Sequence, residues 1–185
     1  MNNVKFMELI MSEFRKKTFV ESIKCEYYRV DKAHLISIPI ILLFLGIFTR
    51  WISGSPLSTL HYIGVRGIVP PTWVMILLFS VSYIVAGLSL GFALGNRFCA
   101  CGERKYQGAM WFCICLAIGY AWYPIFFCAR LFLIALLSCA LCLFSSICAT
   151  ICFANVSKIP FYFAIIYDGW LTYLTFLNMQ IFFVT

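Results

Sequence analysis

The sequence predicts an all-α integral membrane protein, a five-transmembrane-helix bundle, and three observations carry that prediction. Of 185 residues, 63% are hydrophobic and only 11% charged, where soluble proteins run at about half and a quarter. The apolar residues are spread along most of the chain instead of being gathered into one core segment. The charges interrupt them so as to leave five stretches of the length that a helix needs to cross a hydrocarbon layer, roughly 17 to 25 residues. This composition excludes a soluble enzyme, a disordered tail and a secreted disulfide scaffold.

Residues 1–33 form a polar tail that holds seven of the 14 cations and five of the seven acids. Val4, Met7, Met11 and Phe14 recur there at helical spacing beside Arg15, Lys16 and Lys17. That pattern suits a segment lying on a membrane surface as well as it suits a solvated terminus. The first long apolar run begins only at Leu35, too late for a secretory signal, and the five acids argue against a cleaved transit peptide.

Residues 34–185 form the membrane domain. Its expected spans are 35–51, 73–94, 106–124, 131–154 and 161–184. They are read as helices because lipid offers no partner to an open backbone and the alternation of a barrel strand is absent. The link between the first two spans carries Gly54, Pro56, Gly64, Gly67, Pro70 and Pro71 and is expected to be a structured loop over one mouth of the bundle. The link at 95–102 is short and basic, and 127–130 and 155–160 are expected as tight turns, with Pro160 in the first turn of the last helix. With five spans, the tail, the Arg97–Lys105 link and the Lys158 turn share one side with 11 cations, against Arg50, Arg66 and Arg130 on the other. Insertion by the usual translocon route then places the tail in the cytoplasm. This placement of the basic residues makes the lipid bilayer, and not nucleic acid, the expected partner.

Little in the chain suggests covalent chemistry. Of the ten cysteines, Cys113, Cys115, Cys128, Cys139, Cys142, Cys148 and Cys152 fall in or beside the spans, where a thiol behaves as a small apolar residue. Cys139, Cys142, Cys148 and Cys152 could face one another along the fourth span, but no histidine accompanies them and no metal site is expected. No G-x-S-x-G, P-loop or dinucleotide fingerprint is present, so no catalytic residue and no required cofactor is expected. Asp168 stands out as an acid inside a span, costly enough there to make it a candidate intramembrane functional group.

Three stretches together resemble the translocator protein family, also called tryptophan-rich sensory proteins or peripheral-type benzodiazepine receptors. Ala121-Trp122-Tyr123-Pro124-Ile125-Phe126-Phe127-Cys128-Ala129-Arg130 resembles the family's A-W-x-P-[IL]-F-F-G-A-R at the end of the third helix. Pro70-Pro71-Thr72-Trp73-Val74 is similar to its P-P-x-W-V entry to the second helix, followed by Phe79, Tyr83 and Gly87. Tyr167-Asp168-Gly169-Trp170, with Leu177-Asn178 after it, is similar to its P-Y-x-x-W and L-N. The chain departs from the pattern at Ile166, Gly119 and Tyr120, at Ser138 where many members carry an acid, and in lacking the basic residue of the C-terminal sterol-recognition motif.

The resemblance implies a five-helix bundle, often a homodimer, with a pocket beneath the first loop. It implies ligands among porphyrin or haem, sterols and benzodiazepine-like drugs, and a role in transport, sensing or disposal. Trp73, Phe79, Tyr83, Trp122, Phe126, Arg130, Tyr167, Trp170, Leu174 and Asn178 are the expected ligand-binding residues. Their rings suit flat apolar guests, and Tyr167, Trp170, Leu171, Leu174 and Asn178 share one helical face. The resemblance also implies the mitochondrial outer membrane in a eukaryote or the cell envelope in a prokaryote. Light- or oxygen-dependent porphyrin degradation and a small proton- or ion-coupled transporter using Asp168 are the alternatives.

Overall fold

A computed structural model describes residues 30–53, 71–96 and 102–184, and all regular structure in them is helical. The helices are α1 (Lys32–Ile52), α2 (Thr72–Gly95), α3 (Gly102–Phe127), α4 (Phe132–Ala154) and α5 (Lys158–Val184). Residues 1–29 and the first loop, on which the expected surface segment and structured loop fall, lie outside the described residues.

Four of the helices run somewhat beyond the expected spans, while α4 stays within its own. Asp31 begins α1, accepting a hydrogen bond from the Ala33 amide at 3.2 Å and so satisfying one of the donors that a helix start leaves open. The helix α1 thus begins at Lys32. Glu103 sits in the first turn of α3, where its charge complements the helix dipole. Pro124 does not end α3, as the expected span boundary had it; the helix continues to Phe127. The turn that follows is closed by Arg130 in the left-handed region, φ 55°, and α4 starts two residues later.

The helices pack in the circular order α1, α2, α5, α4, α3, with α1 and α3 completing the ring. Small residues set the close approaches, as expected where lipid gives no hydrophobic drive between helices. A Cβ at Gly87 would overlap the backbone of Pro39, so this glycine lets α2 lie against α1. Ala135 and Ala149 are fully buried on α4. At one end of the bundle the Asp31 amide donates to the Gly95 carbonyl at 3.1 Å, and the Ser89 hydroxyl donates to the Pro160 carbonyl at 2.9 Å. At the other end the Cys128 thiol reaches the Ser53 carbonyl at 3.3 Å. The ends of α1, α2, α3 and α5 thus alternate as in an up-and-down bundle.

The outer surface is apolar: Phe44, Leu137, Ile151 and Phe183 are all more than half exposed, an arrangement unsuited to water. Four helices, α1 to α4, are long and apolar enough to cross a membrane. The 27 residues of α5 also suffice in length, at about 1.5 Å each. It falls short in hydropathy because Asp168, Asn178, Gln180 and several tyrosine and tryptophan residues lie along it. The protein is therefore an all-helical integral membrane protein, with the crossing of four helices given by their length and composition.

Candidate functional site

Five of the seven aromatic residues expected at the site, Phe79, Tyr83, Trp122, Tyr167 and Trp170, converge on the middle of the ring. A cavity of about 30 Å³ is lined by Phe79, Ser82 and Tyr83 of α2, Leu116, Gly119 and Trp122 of α3, Cys139 and Cys142 of α4, and Tyr167, Trp170, Leu171 and Leu174 of α5. That volume holds about two water-sized spheres. The rings are already engaged with one another. Phe79 stacks on Trp122 at 5.9 Å between ring centres and meets Trp170 edge-on at 5.2 Å. Both geometries are favoured by the ring quadrupoles.

Each ring is held by contacts from a second helix. Tyr83 stacks on Tyr120 at 5.3 Å, and the Tyr120 hydroxyl donates to the Leu42 carbonyl at 2.8 Å. Gly46 of α1 makes room for this arrangement, since a Cβ there would collide with the Tyr83 ring. Trp122 donates its indole N–H to the Asn178 side-chain oxygen, and the Asn178 amide in turn donates to the Leu174 carbonyl at 2.8 Å. Tyr167 packs against Phe112 at 5.5 Å. Tyr120, which stands where the resemblance expects tryptophan, thus supports the wall from behind.

Six of the ten expected ligand-binding residues, Phe79, Tyr83, Trp122, Tyr167, Trp170 and Leu174, line the cavity, and Asn178 touches it through Trp122. Trp73, Phe126 and Arg130 do not. Trp73 is 68% exposed on the outside of α2. It precedes Phe79 by six residues, a turn of about 120° away from the cavity face at 100° per residue. Phe126 is buried one turn beyond Trp122, stacked on it and packed against Phe132. Arg130 lies in the turn after α3.

Asp168 also points elsewhere. Its carboxylate accepts hydrogen bonds from the Ser146 hydroxyl and, at 2.8 Å, from the Thr150 hydroxyl of α4, so the acid ties α5 to α4 and is not among the residues lining the cavity. The four thiols of α4 do not form one cluster. Cys139 and Cys142 are buried at the cavity while Cys148 and Cys152 are partly exposed, and no group of potential metal ligands gathers among the described residues. Ile166 is 59% exposed, so of the departures from the family pattern it is Gly119 that opens onto the cavity.

The lining residues that sequence reasoning did not single out for the cavity are Ser82, Cys139 and Cys142, which are small or thiol-bearing, and the aliphatic Leu116. A second cavity, of about 260 Å³, lies between α1, α2 and α3 and shares Phe79 and Tyr83 with the first. Its polar border includes Arg50 of α1 and Tyr123 of α3, neither of which the sequence marked.

Residues 37–184 match the model of one protein family, described as the TspO/MBR family. Among curated proteins, none matches the sequence.

Proposed function

The chain belongs to the TspO/MBR family, a family of membrane translocators and sensors, and on that premise we propose that it binds a flat hydrophobic guest, a tetrapyrrole or a sterol, within the helix bundle. The guest is carried, sensed or disposed of without a covalent step. In this reading α5 is the fifth crossing, its polar groups turned toward neighbouring helices and its aromatic face toward the guest.

The observation that supports the reading is the convergence of Phe79, Tyr83, Trp122, Tyr167 and Trp170 from three helices on one cavity. Five rings around one space supply stacking faces, with phenol and indole groups for orientation. A tetrapyrrole is far larger than the 30 Å³ present, so binding displaces rings: the Phe79–Trp170 contact opens and the guest takes its place.

Quenching of tryptophan fluorescence by protoporphyrin in lipid nanodiscs tests this. Saturable quenching in the wild type, weakened in Trp170→Ala beyond the loss of one fluorophore, is the expected result. Non-saturable partitioning in the wild type removes the tetrapyrrole, and the same titration with a fluorescent sterol then decides the sterol.

A further inference from the structure

Arg50 borders an apolar cavity at an end of the bundle where the described residues hold no aspartate or glutamate. The seven acids are Glu8, Glu13, Glu21, Glu26, Asp31, Glu103 and Asp168. Asp31 precedes α1 and Glu103 opens α3, both at the opposite end from Arg50. Asp168 is engaged by Ser146 and Thr150. Among the described residues the one ion pair joins Asp31 to His34. A guanidinium beside a low-dielectric space, with no carboxylate partner among the described residues, favours an anion strongly.

The cavity itself has the other half of what an amphiphilic anion needs. Its volume is about 260 Å³, where an apolar cavity of about 150 Å³ suffices for benzene. Gly46 and Ile47 of α1 and Phe79 and Tyr83 of α2 form much of its wall, while Tyr123 brings a phenol to the same border as Arg50. The wall is fixed in advance, because Tyr83 is wedged between Gly46 and Tyr120. A preformed apolar space with a few convergent polar groups is the usual form of a small-molecule site. A guanidinium matches a carboxylate in two parallel hydrogen bonds.

We propose that the cavity between α1, α2 and α3 binds a small aromatic or alkyl carboxylate. Its apolar body lies against Phe79 and Tyr83, and its carboxylate meets the Arg50 guanidinium and the Tyr123 hydroxyl. The site is distinct from the four-helix cavity, with Phe79 and Tyr83 as the wall between them.

The test uses the full chain in phosphatidylcholine nanodiscs, titrated calorimetrically with 2-naphthoate and with the neutral 2-naphthamide. The expected result is saturable binding at one site, with the carboxylate about tenfold tighter than the amide, as for one charge-assisted hydrogen-bonded pair. Arg50→Gln abolishes the difference between the two probes, Arg50→Lys retains part of it, and Ser80→Leu, which fills the space from α2, weakens both. Absence of saturable binding, equal affinity for the two probes, or a preference that persists in Arg50→Gln overturns the proposal. Native mass spectrometry separates a lipid headgroup from a free carboxylate. If Arg50→Gln sheds bound anionic lipid while the wild type shows no preference for naphthoate, Arg50 serves the headgroup and the proposal falls.

Discussion

Trp122 on α3 donates its indole N–H to the side-chain oxygen of Asn178 on α5 at 3.3 Å, with both residues at least 95% buried. The two helices are not neighbours in the ring, so this bond spans the bundle. It fixes the indole plane from the edge while Phe79 covers one face, and it gives the buried asparagine a partner beyond its own helix.

Asn178→Leu keeps the volume of the side chain and removes the acceptor. Trp122 then holds a buried donor without that partner, and stability falls by about 1–2 kcal/mol. Unfolding in mixed micelles of rising SDS content measures it, and an unchanged midpoint would mean the bond contributes nothing net.

Gly87→Ala and Gly169→Ala form a contrasting pair. A Cβ at Gly87 meets the Pro39 backbone whereas one at Gly169 meets nothing within 4 Å. The first is expected to destabilise by about 1–3 kcal/mol through overpacking. The second is expected to stabilise by up to about 1 kcal/mol through helix propensity. The same SDS titration reads both signs.

Gly119→Leu probes the central cavity by filling it. The first added carbon has only the Cys142 sulfur near it, at 3.8 Å, and the rest of the side chain projects into the space between the rings. Saturable protoporphyrin quenching is expected to weaken at least about tenfold, the cost of losing one or two ring contacts, with stability lowered by about 1–3 kcal/mol through overpacking of the small space.

Asp168→Ala separates the acid from the cavity. Ser146 and Thr150 can turn back to carbonyls of their own helix, so the expected loss is about 1 kcal/mol, and protoporphyrin quenching stays within about twofold of wild type. A collapse of saturable quenching in a folded Asp168→Ala protein would place the acid at the ligand after all.

Much of this was legible in the sequence, for reasons that can be located. The helices follow from apolar runs separated by Pro, Gly and cations, and the cavity face of α5 follows from the 3.6-residue recurrence of Tyr167, Trp170, Leu171 and Leu174. That Trp73 lies off the cavity could not be read in advance, because a motif at a helix start carries no information on azimuth; its six-residue offset from Phe79 turns it outward. Phe126 lies one turn beyond the cavity along the axis, stacked on Trp122. The contribution of Cys139 and Cys142 stayed hidden because a thiol in a span reads as generic packing. The adjacency of α2 and α5, which are distant in the chain, has no local signature, and neither does the cavity beside Arg50, which exists only once three helices meet.

Phe79 and Tyr83 stand between the two cavities and form part of both. A partition shared in this way makes the compartments thermodynamically linked. A molecule that pushes Phe79 toward one side takes volume from the other, so occupancy of either space raises the free energy of filling its neighbour. Whatever factor a carboxylate imposes on the affinity of a central guest, that guest imposes the same factor in return.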